Sequence, residues 1–206
     1  MPVMKSIILA SASARRQELL SQIGVGFTVR SQDIDESIRP GELANDYVIR
    51  MAQEKAGSAL NALHASKDLN DSLVLAADTS VVCDDAVLGK PVDEADAVAM
   101  LRTLSGREHR VLSAVTLAMQ DKQYSALSES RVKFREISVA EAQRYYRSGE
   151  PEGKAGAYAI QGYAAVFVEQ LIGSYSGVMG LPLFETAQLL AKFSVPTQLS
   201  NSVVVK

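Results

Sequence analysis

Residues 110–119 and 124–134 are two long runs of mainly small, apolar and β-branched side chains, joined by the polar stretch Gln120-Asp121-Lys122-Gln123. Two such runs with so short a polar link read as a long antiparallel hairpin. Elsewhere, short apolar runs are separated by helical patterns. Strands are expected at 6–10, 27–31 and 166–171, and helices at 15–23, 44–63, 93–104, 138–147 and from Pro182 to about 193. Asp93 suits an N-cap, Ser138 and Glu141 form a capping box, and Gly106 ends its helix. Alternation of this kind builds a layered α/β fold, and the hairpin makes its sheet mixed rather than purely parallel. The apolar runs 73–76 and 80–83 flank a polar pair, Asp78-Thr79, which places that pair where a strand ends.

A chain of 206 residues is long enough to bury a substantial core. One domain is expected over residues 1–193, followed by a polar tail, 194–206, expected to be poorly ordered. A net charge of -3 gives no global basic field for nucleic acid, so the basic residues must act locally. The single cysteine, Cys83, makes no internal disulfide, and no Cys/His cluster suggests zinc. No signal segment or membrane-length apolar run is visible, which leads to the expectation of a cytoplasmic protein without a membrane partner.

Four polar clusters fall near expected strand or helix ends, where open α/β sheets bind ligands. Ser11, Ser13, Arg15 and Arg16 lie at the start of the first helix. Cations are misplaced there, because the helix dipole is positive at that end. Either an anion such as phosphate compensates, or a serine cap is followed by solvated arginines. The acidic run Asp33-Ile34-Asp35-Glu36 is a divalent-cation site or a solvated loop. Asp78, against an apolar run, is a metal ligand or general base, or a turn aspartate. Lys90, after a glycine, and Lys154, before Ala155-Gly156, offer point charges for phosphate or sit in surface turns. Lys55 reads as an exposed helix lysine, and GSYSGVMGLPL as a tight turn opening the last helix. No Walker A or GxGxxG pattern occurs, and neither His64 nor His109 neighbours a serine elbow.

In order along the chain, SASARR, QEKA, ADT, GKP, LSGREHRV, KAGAYAIQG and GSYSGVMGLPL resemble the Maf family of nucleoside triphosphate pyrophosphatases, over about residues 7–193. Ala14 departs from the family pattern SxSPRR. A proline there chiefly pre-sets φ, so the alanine costs some rigidity and leaves the anion site in place. The resemblance implies a mixed central sheet flanked by helices, with two lobes around a cleft. It also implies a homodimer that hydrolyses a nucleoside triphosphate to the monophosphate and pyrophosphate with a divalent metal, Mg or Mn. By resemblance Asp78 takes a proton from the attacking water or holds the metal, and Asp35 and Glu36 belong to the metal site. Ser11, Ser13, Arg15, Arg16, Lys55 and Lys90 are implied to bind the triphosphate. One branch of the family, associated with methylated guanine nucleotides, has SDQ and SEG segments; this chain has Ala77-Asp78-Thr79 and Ile160-Gln161-Gly162. That looks like the branch acting on dTTP and UTP, with specificity at Arg15, Thr79 and Gln161. The family's link with septum formation suggests the alternative of a nucleotide-binding regulator without turnover.

Overall fold

The computed structural model describes residues 7–66, 72–120 and 122–199. In chain order, β1 (Ile7–Leu9), α1 (Ala14–Gln22), β2 (Thr28–Val29) and α2 (Ala44–Ser66) are followed by β3 (Leu73–Cys83) and β4 (Ala86–Leu88). Then come α3 (Glu94–Leu104), β5 (Glu108–Met119), β6 (Lys122–Phe134), α4 (Val139–Tyr146), β7 (Val168–Ile172), α5 (Tyr175–Met179) and α6 (Leu183–Lys192). The sheet order is β2-β1-β3-β5-β6-β7, with β4 paired to β3. Pairs involving β1 are parallel and the rest antiparallel, so the sheet is mixed. Asp121, in the expected hairpin turn, lies outside the described residues, as do Ser6 and residues 200–206.

The expected caps are present. Asp93 accepts the Asp96 N–H, and the Ser138–Glu141 box closes in both directions. Three elements differ from expectation. Residues 73–83 form one continuous strand, so Asp78 and Thr79 lie in its middle and not at an end. The strand tolerates them because Asp78 meets Lys55 and Thr79 meets Ser113, which leaves neither group buried without a partner. Asp84 and Asp85 both adopt positive φ, and this tight turn folds β4 back onto β3. GSYSGVMGLPL contains a short helix, α5, capped by Ser174. Within the tail, Val195 packs on the core and the Gln198 N–H donates to the Ile23 carbonyl at 2.8 Å.

Strand alternation sorts the core into two faces. Val74, Ala76 and Val82 of β3, with Leu112, Ala114 and Ala118 of β5, pack under α2. The opposite face carries two separate apolar clusters. Leu73, Leu75, Ala77, Val115 and Leu117 lie under α1 and α6, whereas Val81, Cys83, Val111, Val132 and Phe134 lie under α3 and α4. Between them a polar row crosses the sheet, Thr79 opposite Ser113 and Ser113 opposite Ser128. The two lobes are these two clusters, built at opposite ends of the same long strands. β1 pairs β3 only as far as Leu75, and β4 pairs it only from Val81. The segment between has no strand on that edge, which leaves an opening in the sheet at Asp78 and Thr79.

Candidate active site

A cleft of about 450 Å³ occupies this opening. α1 enters it by its N-terminus, where Ser11 and Ser13 precede the first turn. Arg16 stretches back across the cleft wall: its Nε donates to the Gly180 carbonyl at 2.8 Å and its Nη1 to Ser11 Oγ at 3.1 Å. Ser11 Oγ also accepts the Ser13 N–H at 3.3 Å. Ser13 itself occupies the N-cap position but makes no side-chain cap bond. The side chain of Arg15 makes no ion pair or hydrogen bond among the described residues. Burial lowers its pKa, though an arginine in this setting stays charged.

Lys55 is not the exposed helix lysine expected. It is 8% exposed, and α2 delivers its Nζ to 2.7 Å from Asp78 Oδ1 and 2.7 Å from Glu36 Oε1. Lys90 reaches the other Glu36 oxygen at 2.8 Å. Burial alone would raise the Glu36 pKa, but hydrogen bonds and charge from both lysines hold it down at about 2. The loop carrying Glu36 is fastened to α2. The Tyr47 hydroxyl donates to the Glu36 carbonyl, and Arg50 Nη2 donates to the Ser37 carbonyl, each at 2.9 Å. Arg50 also grips Glu42 with two nitrogens, at 2.5 and 2.7 Å.

Asp35, next to Glu36 in the chain, does not line the cleft. Its exposed carboxylate closes a local turn by accepting the Ser37 N–H at 2.9 Å, and that bond lowers its pKa. Among the described residues no three His, Cys, Asp or Glu side chains gather into a group that could hold a metal. The two carboxylates that do converge, Glu36 and Asp78, converge on the Lys55 ammonium.

Gln161 and Lys154 line the same cleft from its other lobe, and Thr79 lines it from the polar row between the lobes. Burial and the nearby charge of Arg15 lower the Lys154 pKa. Five cations (Arg15, Arg16, Lys55, Lys90, Lys154) meet two carboxylates (Glu36, Asp78), an excess of three positive charges in a chain of net -3. Sequence reasoning missed Ser113, whose hydroxyl bonds Thr79 and donates to the Gly177 carbonyl at 2.6 Å. It also missed the Tyr47 and Arg50 fastening. Hydroxyls recurring in otherwise apolar strand positions were the available signal for the first; nothing local marked the second.

A helix N-terminus, concentrated positive charge and a carboxylate pair around one cation are the chemistry that suits a compact phosphate-bearing anion. The chain belongs to the Maf-like protein family, whose model matches residues 6–193. It is 54% identical over 196 residues to the dTTP/UTP pyrophosphatase of Bordetella pertussis (strain Tohama I), covering 92% of this chain and 94% of that one. To the dTTP/UTP pyrophosphatase of Hahella chejuensis it is 50% identical over 194 residues, 94% of this chain and 95% of the relative. Overlay on the Ham1 protein of Staphylococcus aureus gives a TM-score of 0.42 at 17% identity, over 66% of this chain and 73% of that chain.

Proposed function

We propose that this protein is a nucleoside triphosphate pyrophosphatase acting on dTTP and UTP. The observation that carries this reading is the Glu36–Lys55–Asp78 arrangement inside a cleft with surplus positive charge. Relatives of about 50% identity named dTTP/UTP pyrophosphatase support the choice of substrate. In the reaction, a water oxygen bonds to the α-phosphorus while the bond from that phosphorus to the bridging oxygen breaks. The monophosphate stays behind and pyrophosphate leaves. Asp78 takes the water's proton, a role supported by its Oδ2, which Lys55 does not engage. Ser11, Ser13 and Arg16 hold phosphate oxygens at the α1 N-terminus. Arg15, Lys55 and Lys90 offset the charge that develops on the departing pyrophosphate.

The family implies a divalent metal, and the residues fit one. Glu36 and Asp78 would supply two hard oxygen donors for it beside the Lys55 ammonium they share. Mg²⁺ or Mn²⁺ commonly binds through one or two carboxylates, with substrate phosphates and water completing its shell. When bound, such an ion supplies charge neutralisation and a more acidic water. Asp35 is not part of this proposal, because its side chain is committed elsewhere. Pyrophosphate release, measured over a panel of nucleoside triphosphates with Mg²⁺ or Mn²⁺, tests the reading. Release from dTTP and UTP above the other nucleotides is expected, and release from none would overturn it.

A further inference from the structure

Gln161 is exposed and sits at the crest of a loop between two 3-10 turns, Ala155–Ala157 and Tyr163–Phe167. A loop residue discriminates between bases only if its backbone is held. One pair of side chains holds it from both sides. The Tyr145 hydroxyl, brought in by α4, donates to Glu150 Oε1 at 2.6 Å and accepts the Ala159 N–H at 3.1 Å. Glu150 Oε2 accepts the Tyr163 N–H at 2.9 Å, and Oε1 accepts the Ala164 N–H at 3.3 Å. Three donors therefore converge on one half-buried carboxylate. The backbone two residues before Gln161 and two residues after it is tied to one Tyr–Glu unit.

The fit is close. A Cβ built at Gly162 would lie 1.9 Å from Glu150 Oε2, so the carboxylate rests directly on the backbone next to Gln161. A carboxylate suits this position chemically. Both its oxygens accept, whereas a glutamine would turn an NH₂ donor toward groups that themselves donate.

We propose that Glu150, together with Tyr145, is a positioning residue for base selection: it holds the Gln161 loop against the cleft and touches no phosphate. This rests on the pyrophosphatase reading above and deepens it. A Gln161 amide held at one height presents a donor and an acceptor to the imide edge of uracil or thymine. When the loop is loosened, that pairing is lost first, because the phosphate-binding groups belong to other elements.

The test compares wild type with Glu150→Gln, Tyr145→Phe, Gln161→Ala and the Glu150→Gln/Gln161→Ala double variant. kcat/KM is measured for UTP, dTTP, CTP and ATP, alongside thermal melts. Each single variant is expected to lose about tenfold or more of the preference for UTP and dTTP over CTP, the order of one lost hydrogen bond. The double variant should discriminate no worse than Gln161→Ala alone, since both changes act through one group. A uniform fall on all four nucleotides would overturn the proposal by making Glu150 merely structural. So would additive losses in the double variant, or a Glu150→Gln protein that keeps wild-type selectivity. If Glu150→Gln does not fold, Tyr145→Phe decides, because it removes one hydroxyl and leaves the carboxylate on Tyr163 and Ala164. If the wild type turns over no nucleotide, the pyrophosphatase reading has failed separately. Kd ratios for UTP against CTP, measured on the same variants, then decide whether Glu150 sets discrimination.

Discussion

Lys55 Nζ lies 2.7 Å from Asp78 Oδ1, and the two side chains are only 10% and 13% exposed. The contact ties the middle of α2 to the middle of β3, at the point where the sheet is open. It also makes the two partners unequal under mutation. Asp78→Asn leaves the ammonium paired with Glu36. Lys55→Met leaves Glu36 with Lys90 but takes from the buried Asp78 carboxylate the ammonium it is paired with. Asp78→Asn should therefore fold normally while kcat falls at least ~10²-fold, the low end for loss of a general base. Near-wild-type turnover by that variant would remove Asp78 from the chemistry. Lys55→Met should lose about 3 kcal/mol or more, as expected when one partner of a buried pair is deleted, and urea denaturation reads it directly.

The two adjacent arginines separate in the same way. Taken as sequence, they look like one anion-binding pair at a helix start. The structure gives Arg16 an internal task, holding the Gly180 carbonyl and Ser11 Oγ, while Arg15 has no such bond. Arg15→Ala should cripple substrate use without lowering the melting temperature, and relief of the dipole conflict should raise it slightly. Arg16→Ala should lose both activity and about 1–3 kcal/mol of stability, because the carbonyl it serves loses a charged donor. Thermal melts of the two variants decide it: equal stability would mean that the Gly180 contact contributes nothing.

Glu36 gives the protein an acid-sensitive component. Unfolded, its carboxyl titrates near the ordinary glutamate value of about 4.3. Folded, burial opposes ionisation, but Lys55 and Lys90 outweigh it and hold the group down at about 2. A depressed folded value means that the stabilisation is complete above the unfolded pKa and is lost as pH falls toward the folded one. Stability should decline between about pH 4.3 and pH 2, and Glu36→Gln should flatten part of that decline. Denaturation curves at several pH values check this. An unchanged slope in Glu36→Gln would mean that the lysine contacts do not persist in solution.

Much of this architecture is legible in the chain because it is written locally. Caps at Asp93 and Ser138, the long hairpin and the helical apolar stripes are short-range signals, and each is present in the fold. By sequence Asp78 reads as a strand end, because a polar pair interrupts an apolar run. A partner 23 residues from Asp78 and another 34 residues from Thr79 make the pair a strand interior instead. Asp35 and Glu36 look equivalent as sequence. Only the fold shows that one closes a turn while the other faces two lysines. The opening itself depends on where β1 stops pairing with β3, which no single residue encodes.

Arg50 offers the sharpest test of whether the Glu36 loop needs holding. Its guanidinium takes both Glu42 oxygens and the Ser37 carbonyl, and Glu42 in turn accepts the Arg39 N–H at 3.0 Å. None of these groups lines the cleft, so any effect on catalysis must pass through the placement of Glu36. Arg50→Gln should lower kcat/KM by about 10²-fold, the cost typical of misplacing a working group by about 1 Å. It should also raise the Mg²⁺ concentration needed for half-maximal rate. Arg50→Lys should rescue little, because a point ammonium cannot match two carboxylate oxygens and a carbonyl at once. Full rescue by lysine, or an unchanged Mg²⁺ dependence in Arg50→Gln, would show that the Glu36 loop keeps its position without the clamp.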